Sequence, residues 1–246
     1  MGAILVLASL LCAVSVSAAD KPLDAKALIK DIETAARGKT SHAVAAMRIK
    51  TEYWERELKM EMWGEGREKF LAVIREPKKE RGTATLKRDD EVWNFLPKID
   101  RLIKVPSSLM GDSWMGSHIT NDDLVKEDKI EELFDLEIVS HEGSIVVIGA
   151  TPKPDAAVVW GRIVYRADLE RRVALSVDYF DEDGAKIRTM VFDKVEKIAG
   201  RFVPLRMRIQ PVEDEGEFTE IVYDTLQLDV PLKAGLFSVR SLRKKH

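Results

Sequence analysis

The chain has 246 residues, of which 33% are charged, and its acidic and basic residues nearly cancel at a formal net charge of −3. The basic residues alternate with acidic and apolar residues, which argues against a nucleic-acid-binding protein, because such a protein presents a basic face. A chain this long can bury a core without disulfides, as one large β domain or two smaller ones.

The N-terminal segment has the character of a secretory signal peptide. Residues 3–19 form an apolar run that ends in small residues and is short for a membrane-spanning helix. We predict a signal peptide over residues 1–19, with cleavage near Ala18 or Ala19, and export of the remainder. Cys12, the only cysteine, lies inside this segment and lacks the small preceding residue of a lipobox. The exported protein is therefore expected to have neither a disulfide nor a lipid anchor.

A helical pattern follows, with Asp24 as a possible N-cap and Gly38 as a fitting stop. Its apolar residues recur at helical spacing: Leu28, Ile32, Ala35 and Ala36. From residue 40 onward the period changes to two, which is typical of antiparallel strands with one wet and one dry side. The dry sides contain Trp54, Leu58, Met60 and Met62; Val173, Leu175, Val177 and Tyr179; and Val203, Leu205, Met207 and Ile209.

Turn residues divide this region into about ten strands, and Asp183-Gly184 is a strong hairpin signature. The predicted fold is mainly β with α, as a single domain over residues 20–246. One helical segment interrupts the strands, because Thr120 and Asp123 have the spacing of a capping box, and Ile119 and Leu124 that of a hydrophobic staple. We predict a helix through NDDLVKEDKIEELF, residues 121–134, preceded by the loop SSLMGDSWMGS, residues 107–117.

Catalytic and metal-binding motifs are weak. The four histidines have no metal-ligand spacing, and cysteine–histidine zinc sites are excluded by composition: His42, His118, His141 and His246. A lone His118 near a helix start is most often a solvated or capping residue. Asp122 and Asp123 are first-turn acids that favour the helix dipole, so a hydrolase that uses either of them is the least favoured hypothesis. We expect no enzyme, no metal and no cofactor.

Apolar residues of adaptable shape are the distinctive feature, with eight methionines and five tryptophans. Core packing is the commoner role for any one of them. The loop differs, because its apolar residues follow no regular period and its glycines add freedom, so it should cover or bind something apolar. The candidate ligand-binding residues are Trp54, Met60, Met62, Trp93, Phe95, Leu96, Met110, Trp114 and Met115. The candidate lid or gate residues are Gly111, Gly116, Ile119 and Leu124.

Residues 81–124, RGTATLKRDDEVWNFLPKIDRLIKVPSSLMGDSWMGSHITNDDL, resemble the periplasmic outer-membrane lipoprotein-sorting proteins (LolA-like), in their uncharacterised branch. VDYFDEDGAKIRTMVF and FVPLRMRI agree with this, and the likeness runs from about Ala43 to the C-terminus. The resemblance implies a curled antiparallel half-barrel (LolA/LolB-like) whose helices cover the concave face. It also implies a periplasmic location and a cavity that takes acyl chains.

Two functional hypotheses follow. The first is a periplasmic carrier or chaperone that binds lipid or lipoprotein acyl chains and moves them between envelope components, with no bond made or broken. Its partners would include an inner-membrane transporter and an outer-membrane acceptor, and no nucleic acid. The alternative is a non-catalytic envelope sensor or accessory protein that binds a protein partner, for example beside an export pump. In the first hypothesis, the loop of residues 110–115 and the helix after Thr120 form the gate.

Overall fold

The computed structural model describes residues 23–126 and 129–243, so the predicted signal peptide lies outside the described residues. The described strands form one antiparallel sheet of 13 strands in the order β6-β5-β4-β3-β2-β1-β13-β12-β11-β10-β9-β8-β7. The sheet is open, with β6 and β7 at its edges. The predicted fold class is confirmed: the sheet is a curled half-barrel, and short helices cover its concave face.

The elements have the following bounds. The strands are β1 Thr40–Lys50, β2 Glu55–Glu65, β3 Lys69–Glu76, β4 Ala84–Arg88, β5 Glu91–Leu96, β6 Arg101–Lys104, β7 Phe134–Glu142, β8 Ile145–Pro152, β9 Arg162–Asp168, β10 Val173–Phe180, β11 Lys186–Ile198, β12 Arg201–Pro211 and β13 Phe218–Leu228. The helices are α1 Ala25–Arg37, α2 Asn121–Lys126 and α3 Ile130–Leu133. None of the helices in the described ranges is long and apolar enough to cross a membrane.

Helix α1 begins and ends where the sequence predicts. The Asp24 carboxylate accepts hydrogen bonds of 3.0 and 3.1 Å from the backbone N–H groups of Lys26 and Ala27. Gly38 ends the helix with a positive φ of 69°, a conformation that glycine adopts without strain. The buried face overlaps the predicted one, because Ile32 is buried and Leu28 packs against the concave cluster, but it is shifted toward the start of the helix by packing against the sheet and α3: Ala25, Ile29 and Ile32.

The predicted dry faces are largely confirmed, with three corrections, the first being that Leu205 and Met207 of β12 are only half-buried. Leu58, Met60 and Met62 are buried in β2, whereas Trp54 precedes the strand and is 41% exposed. In β10 a register shift after Ala174 breaks the alternation, so Leu175 is only half-buried. There are more strands than the predicted ten, and the hairpin at Asp183-Gly184 joins β10 to β11. The predicted helix over residues 121–134 is wrong at its end, because Phe134 is extended and begins β7.

Apolar residues cluster on both faces of the sheet. Alternate residues of β3 enter different clusters: Ala72 and Ile74 belong to the larger one, and Leu71 and Val73 to the smaller. The larger cluster lies on the concave face beneath the helices. The smaller cluster lies on the opposite face and is covered by residues 232–242 of the C-terminal segment. In the described part of the chain, the helices therefore cover the concave cluster, and the C-terminal segment covers the smaller one.

Candidate functional site

Residues 107–126, here called the cover segment, lie across the concave face and comprise two 3-10 turns and α2. Trp114 is its central residue, with a side chain only 3% exposed. The indole N–H donates a hydrogen bond of 3.0 Å to Oγ1 of Thr85, and the ring meets that of Phe70 edge to face at 6.4 Å. The Thr85 hydroxyl in turn donates to Oδ1 of Asn94 at 2.7 Å. Trp114 is thus fixed in the core of the half-barrel.

The backbone of the cover segment is closely hydrogen-bonded. The Asn121 side-chain amide donates to the carbonyl oxygens of Leu109 and Asp112, at 3.2 and 3.1 Å. The N–H of Asp122 donates to the carbonyl oxygen of Met110 at 2.8 Å. These bonds tie the loop to the start of α2.

The predicted capping box is confirmed. The N–H of Thr120 donates to Oδ2 of Asp123 at 2.8 Å, and the N–H of Asp123 donates to Oγ1 of Thr120 at 3.0 Å. The two predicted staple residues, Ile119 and Leu124, both join the concave cluster. The first turn of α2 is therefore stabilised locally and anchored to the core at the same point.

A left-handed turn directly after Trp114 holds the cover segment against β2. Met115 has a φ of 52° and Gly116 a φ of 70°. The guanidinium of Arg56 donates to the carbonyl oxygen of Met115, and the Trp54 ring lies 3.7 Å from the position that a Cβ on Gly116 would take. Arg56 and Trp54, near the start of β2, thus hold this turn in place.

His118 ties the cover segment to β13. Its backbone N–H donates to Oγ1 of Thr219 at 2.9 Å, and its ring lies 2.9 Å from the same oxygen and 3.2 Å from Oε2 of Glu217. The backbone N–H of Glu52, together with the His118 side chain, holds the pKa of Glu217 below its usual range. His118 therefore has a positioning contact, which corrects the interpretation of a solvated residue.

A buried ion pair joins α2 to the sheet. The Arg188 guanidinium on β11 donates to both carboxylate oxygens of Asp123, at 2.9 and 2.8 Å, and both side chains are 5% exposed. It also donates to the carbonyl oxygen of His118 at 2.7 Å. Its carbon lies 4.5 Å from the Trp160 ring centroid and 4.3 Å from that of Tyr179. These contacts compensate the loss of hydration of a charge in the core.

A small cavity lies beside this pair. It measures about 20 Å³ and is lined by Asp122, Asp123, Lys126, Ile130, Phe134, Val158, Trp160, Ile163 and Tyr179. Burial raises the pKa of Asp122, against the opposing hydrogen bond from Lys126 at 2.6 Å. Space of this size holds about one water molecule, so this cavity admits no acyl chain as it stands.

The nine candidate ligand-binding residues do not form one surface. Met60, Met62 and Trp114 belong to the concave cluster, and Met115 packs against it. Trp93 and Phe95 lie on the opposite face, in the smaller cluster, because they alternate with Asn94 along β5. Leu96 and Met110 are half-buried outside both clusters, and Trp54 is at the rim. Of the gate residues, Gly116 lies in the turn at Trp54, and Gly111 is exposed with open space around it.

Sequence reasoning missed Arg188 and Trp160. The signal for Arg188 is its position in KIRTMVF, in step with Met190 and two residues before it. An arginine on the apolar side of a strand requires a buried partner. Asp123 is 65 residues away in the chain, so no local pattern links the two.

Three solved structures share this fold. A DUF1329 family protein from Desulfovibrio piger superposes with a TM-score of 0.80 at 22% identity, covering 89% of this chain and 97% of the other. A protein described as an outer membrane lipoprotein-sorting protein domain, from Vibrio parahaemolyticus, gives 0.78 at 19% identity, covering 89% and 98%. A LolA superfamily protein from Nitrosomonas europaea gives 0.72 at 17% identity, covering 88% and 98%.

The sequence itself decides the family. Residues 66–244, well over half of the chain, match a family model whose description reads "-like: Uncharacterized protein". The chain belongs to this family, and its fold is that of the LolA superfamily structure. No curated protein matches the sequence. The family match begins in the β2–β3 turn. It therefore includes the whole cover segment and the strands β3, β11 and β13, which contact that segment.

Proposed function

We propose that the protein is a periplasmic, non-catalytic carrier that binds the acyl chains of lipids or lipoproteins on the concave face of its half-barrel and hands them between envelope components. The domain over residues 20–246 acts as one carrier unit, and Asp122 and Asp123 serve in ion pairs. The observation that carries the proposal is the concave cluster, the larger apolar surface of the sheet, closed by short helices and the cover segment. Such a closure can open without breaking the strand pairing of the sheet.

The energetics of this arrangement favour apolar cargo. Each buried methylene contributes about 0.8 kcal/mol, so a long acyl chain supplies on the order of 10 kcal/mol before ordering costs. A ligand site for a molecule of this size occupies roughly 300 Å³ or more, whereas the cavity beside the Arg188–Asp123 pair measures about 20 Å³ and a second one, beside α1, about 180 Å³. Binding therefore requires the cover segment to move away from the sheet, and its rim contacts set the cost of that movement.

A disulfide between the cover segment and β13 tests this proposal. Thr219 Oγ1 lies 2.9 Å from the backbone nitrogen of His118, so the two residues are neighbours between the cover segment and β13. In a Cys12→Ser background, the pair His118→Cys and Thr219→Cys should bind a fluorescent fatty acid only after reduction by dithiothreitol. Cys12→Ser alone controls for the reductant. Equal binding of the fatty acid by the oxidised and the reduced variant would contradict a mobile cover segment. In a separate experiment, lipid extracted from protein purified from its own periplasm would identify the cargo.

The alternative of a protein-binding accessory role is favoured by one observation. Strand β7 is one edge of the sheet in the described part of the chain, and eight of its nine residues pair with β8. An open edge of this length can accept an extended segment of a partner. Val139 lies at the bulge of β7, so Val139→Pro should block such pairing while the fold is kept. The accessory role would be supported if the wild-type protein is purified free of lipid and binds a purified partner that this variant no longer binds.

A further inference from the structure

Arg188 is a cation built into the apolar wall of the concave face. It is the third residue of β11, in step with Met190 and Phe192, which belong to the concave cluster or pack against it. The rings of Trp160 and Tyr179 lie over its guanidinium. A row of apolar side chains thus leads along the strand to a buried positive charge near the strand's end.

The group that meets this charge belongs to the cover segment. Asp123 presents both carboxylate oxygens to the guanidinium, at 2.9 and 2.8 Å. A guanidinium offers the same pair of donors to any carboxylate or phosphate. Asp123 is also fixed to α2 by its capping bond with Thr120. A displacement of α2 that admits an acyl chain therefore takes the carboxylate away from Arg188.

Opening thus has a chemical requirement beyond apolar contact. A buried charge that loses its partner is strongly destabilising, and a neutral chain offers nothing to replace that partner. The geometry points to an acyl amphiphile with an anionic head, a carboxylate or a phosphate, which takes the place of Asp123 at Arg188 while its chain lies along Met190 and Phe192. This inference rests on the proposed carrier function and adds a head-group site to it.

Matched fluorescent probes test the head-group site. cis-Parinaric acid and its methyl ester share one chain, and only the acid carries an anion. The wild-type protein should bind the acid roughly tenfold more tightly, the factor of a charged hydrogen-bonded pair. Arg188→Gln should lower the affinity for the acid to that for the ester. Asp123→Asn removes the competing charge and still accepts the Thr120 N–H bond, so it should raise the affinity for the acid alone.

Two further variants keep the test decisive. Arg206→Gln removes an arginine that is ion-paired with Asp193, and it should preserve the preference for the acid. If Arg188→Gln fails to fold, the double variant Arg188→Met and Asp123→Leu replaces the buried pair by apolar side chains, a change that proteins tolerate. It should bind acid and ester equally. A retained preference for the acid in the double variant would overturn the inference.

Competitors separate the possible heads. Displacement of cis-parinaric acid by palmitate or by a lysophosphatidate supports the site and shows whether its head is a carboxylate or a phosphate. Displacement by inorganic phosphate or acetate alone would overturn the requirement for an acyl chain. Equal binding of acid and ester by the wild-type protein would refute the head-group site and leave the carrier function standing. Binding of neither probe would refute the carrier function itself.

Discussion

The Trp114 indole and the Thr85 hydroxyl are joined by a buried hydrogen bond of 3.0 Å that links the cover segment to β4. The bond connects residues 29 positions apart in the chain, and no other polar group of the Trp114 side chain exists to replace it. The tryptophan ring and this single bond together hold the middle of the cover segment on the concave face.

Truncation of this tryptophan should be costly. Trp114→Ala removes a ring that is 3% exposed and should lower the free energy of unfolding by about 3–5 kcal/mol, while Trp114→Phe should cost less. Tyr53→Ala is the matched control, because Tyr53 is 85% exposed, and it should change stability by less than about 0.5 kcal/mol. Urea titration measures all three. Equal stability of Trp114→Ala and wild type would contradict the burial of the ring.

The two glycines of the cover segment should respond differently to alanine. Gly116 has a φ of 70°, so Gly116→Ala should destabilise by roughly 1–2 kcal/mol. Gly111 has a conformation open to any residue and no atom within 4 Å of an added Cβ. Gly111→Ala should therefore be neutral or stabilise by about 0.4–1 kcal/mol, through lower entropy of the unfolded chain. Thermal unfolding should give a lower midpoint for Gly116→Ala than for Gly111→Ala. A lower midpoint for Gly111→Ala would contradict the left-handed turn at Gly116.

Loss of the capping hydroxyl should loosen α2. Thr120→Ala removes the acceptor of the Asp123 N–H bond and should cost about 1 kcal/mol, whereas Thr120→Ser keeps that oxygen and should cost less. Amide hydrogen exchange in residues 121–126 should accelerate in the alanine variant. An unchanged exchange rate in these residues would show that the capping box does not stabilise the helix.

Acid should weaken the tie between β13 and the cover segment. The folded-state pKa of Glu217 is lowered by the Glu52 N–H and the His118 side chain. The ionised carboxylate therefore stabilises the fold above its unfolded-state pKa of about 4.3, and this contribution is lost as the pH falls through the lower, folded-state value.

Glu217→Gln removes that contribution at neutral pH, so its stability difference from wild type should shrink between pH 6 and pH 3. Glu213→Gln, in the same exposed turn, is the control, and urea midpoints across this range measure both. A difference that stays constant with pH would exclude the carboxylate as the cause.

Local patterns in the sequence predicted local structure well. The caps of α1 at Asp24 and Gly38 and the capping box at Thr120 and Asp123 depend on residues a few positions apart, whose energies act in any context. The dry face of β2 follows from its alternation alone. The family resemblance, carried by residues 81–124, gave the half-barrel and its covered concave face. The caps and the dry face of β2 are encoded within short windows of the chain, whereas the half-barrel was predicted only through the resemblance.

The tertiary structure decided which apolar residues share a surface and which charges meet. Trp93 and Trp114 are equally apolar in sequence, yet they lie on opposite faces of the sheet, because the register of β5 fixes the side of Trp93 and the path of the cover segment places Trp114 on the concave face. Arg188 and Asp123 pair only because the curl of the sheet brings β11 beneath α2. Burial and long-range pairing depend on the register and curvature of the whole sheet, and no short window of sequence contains that information.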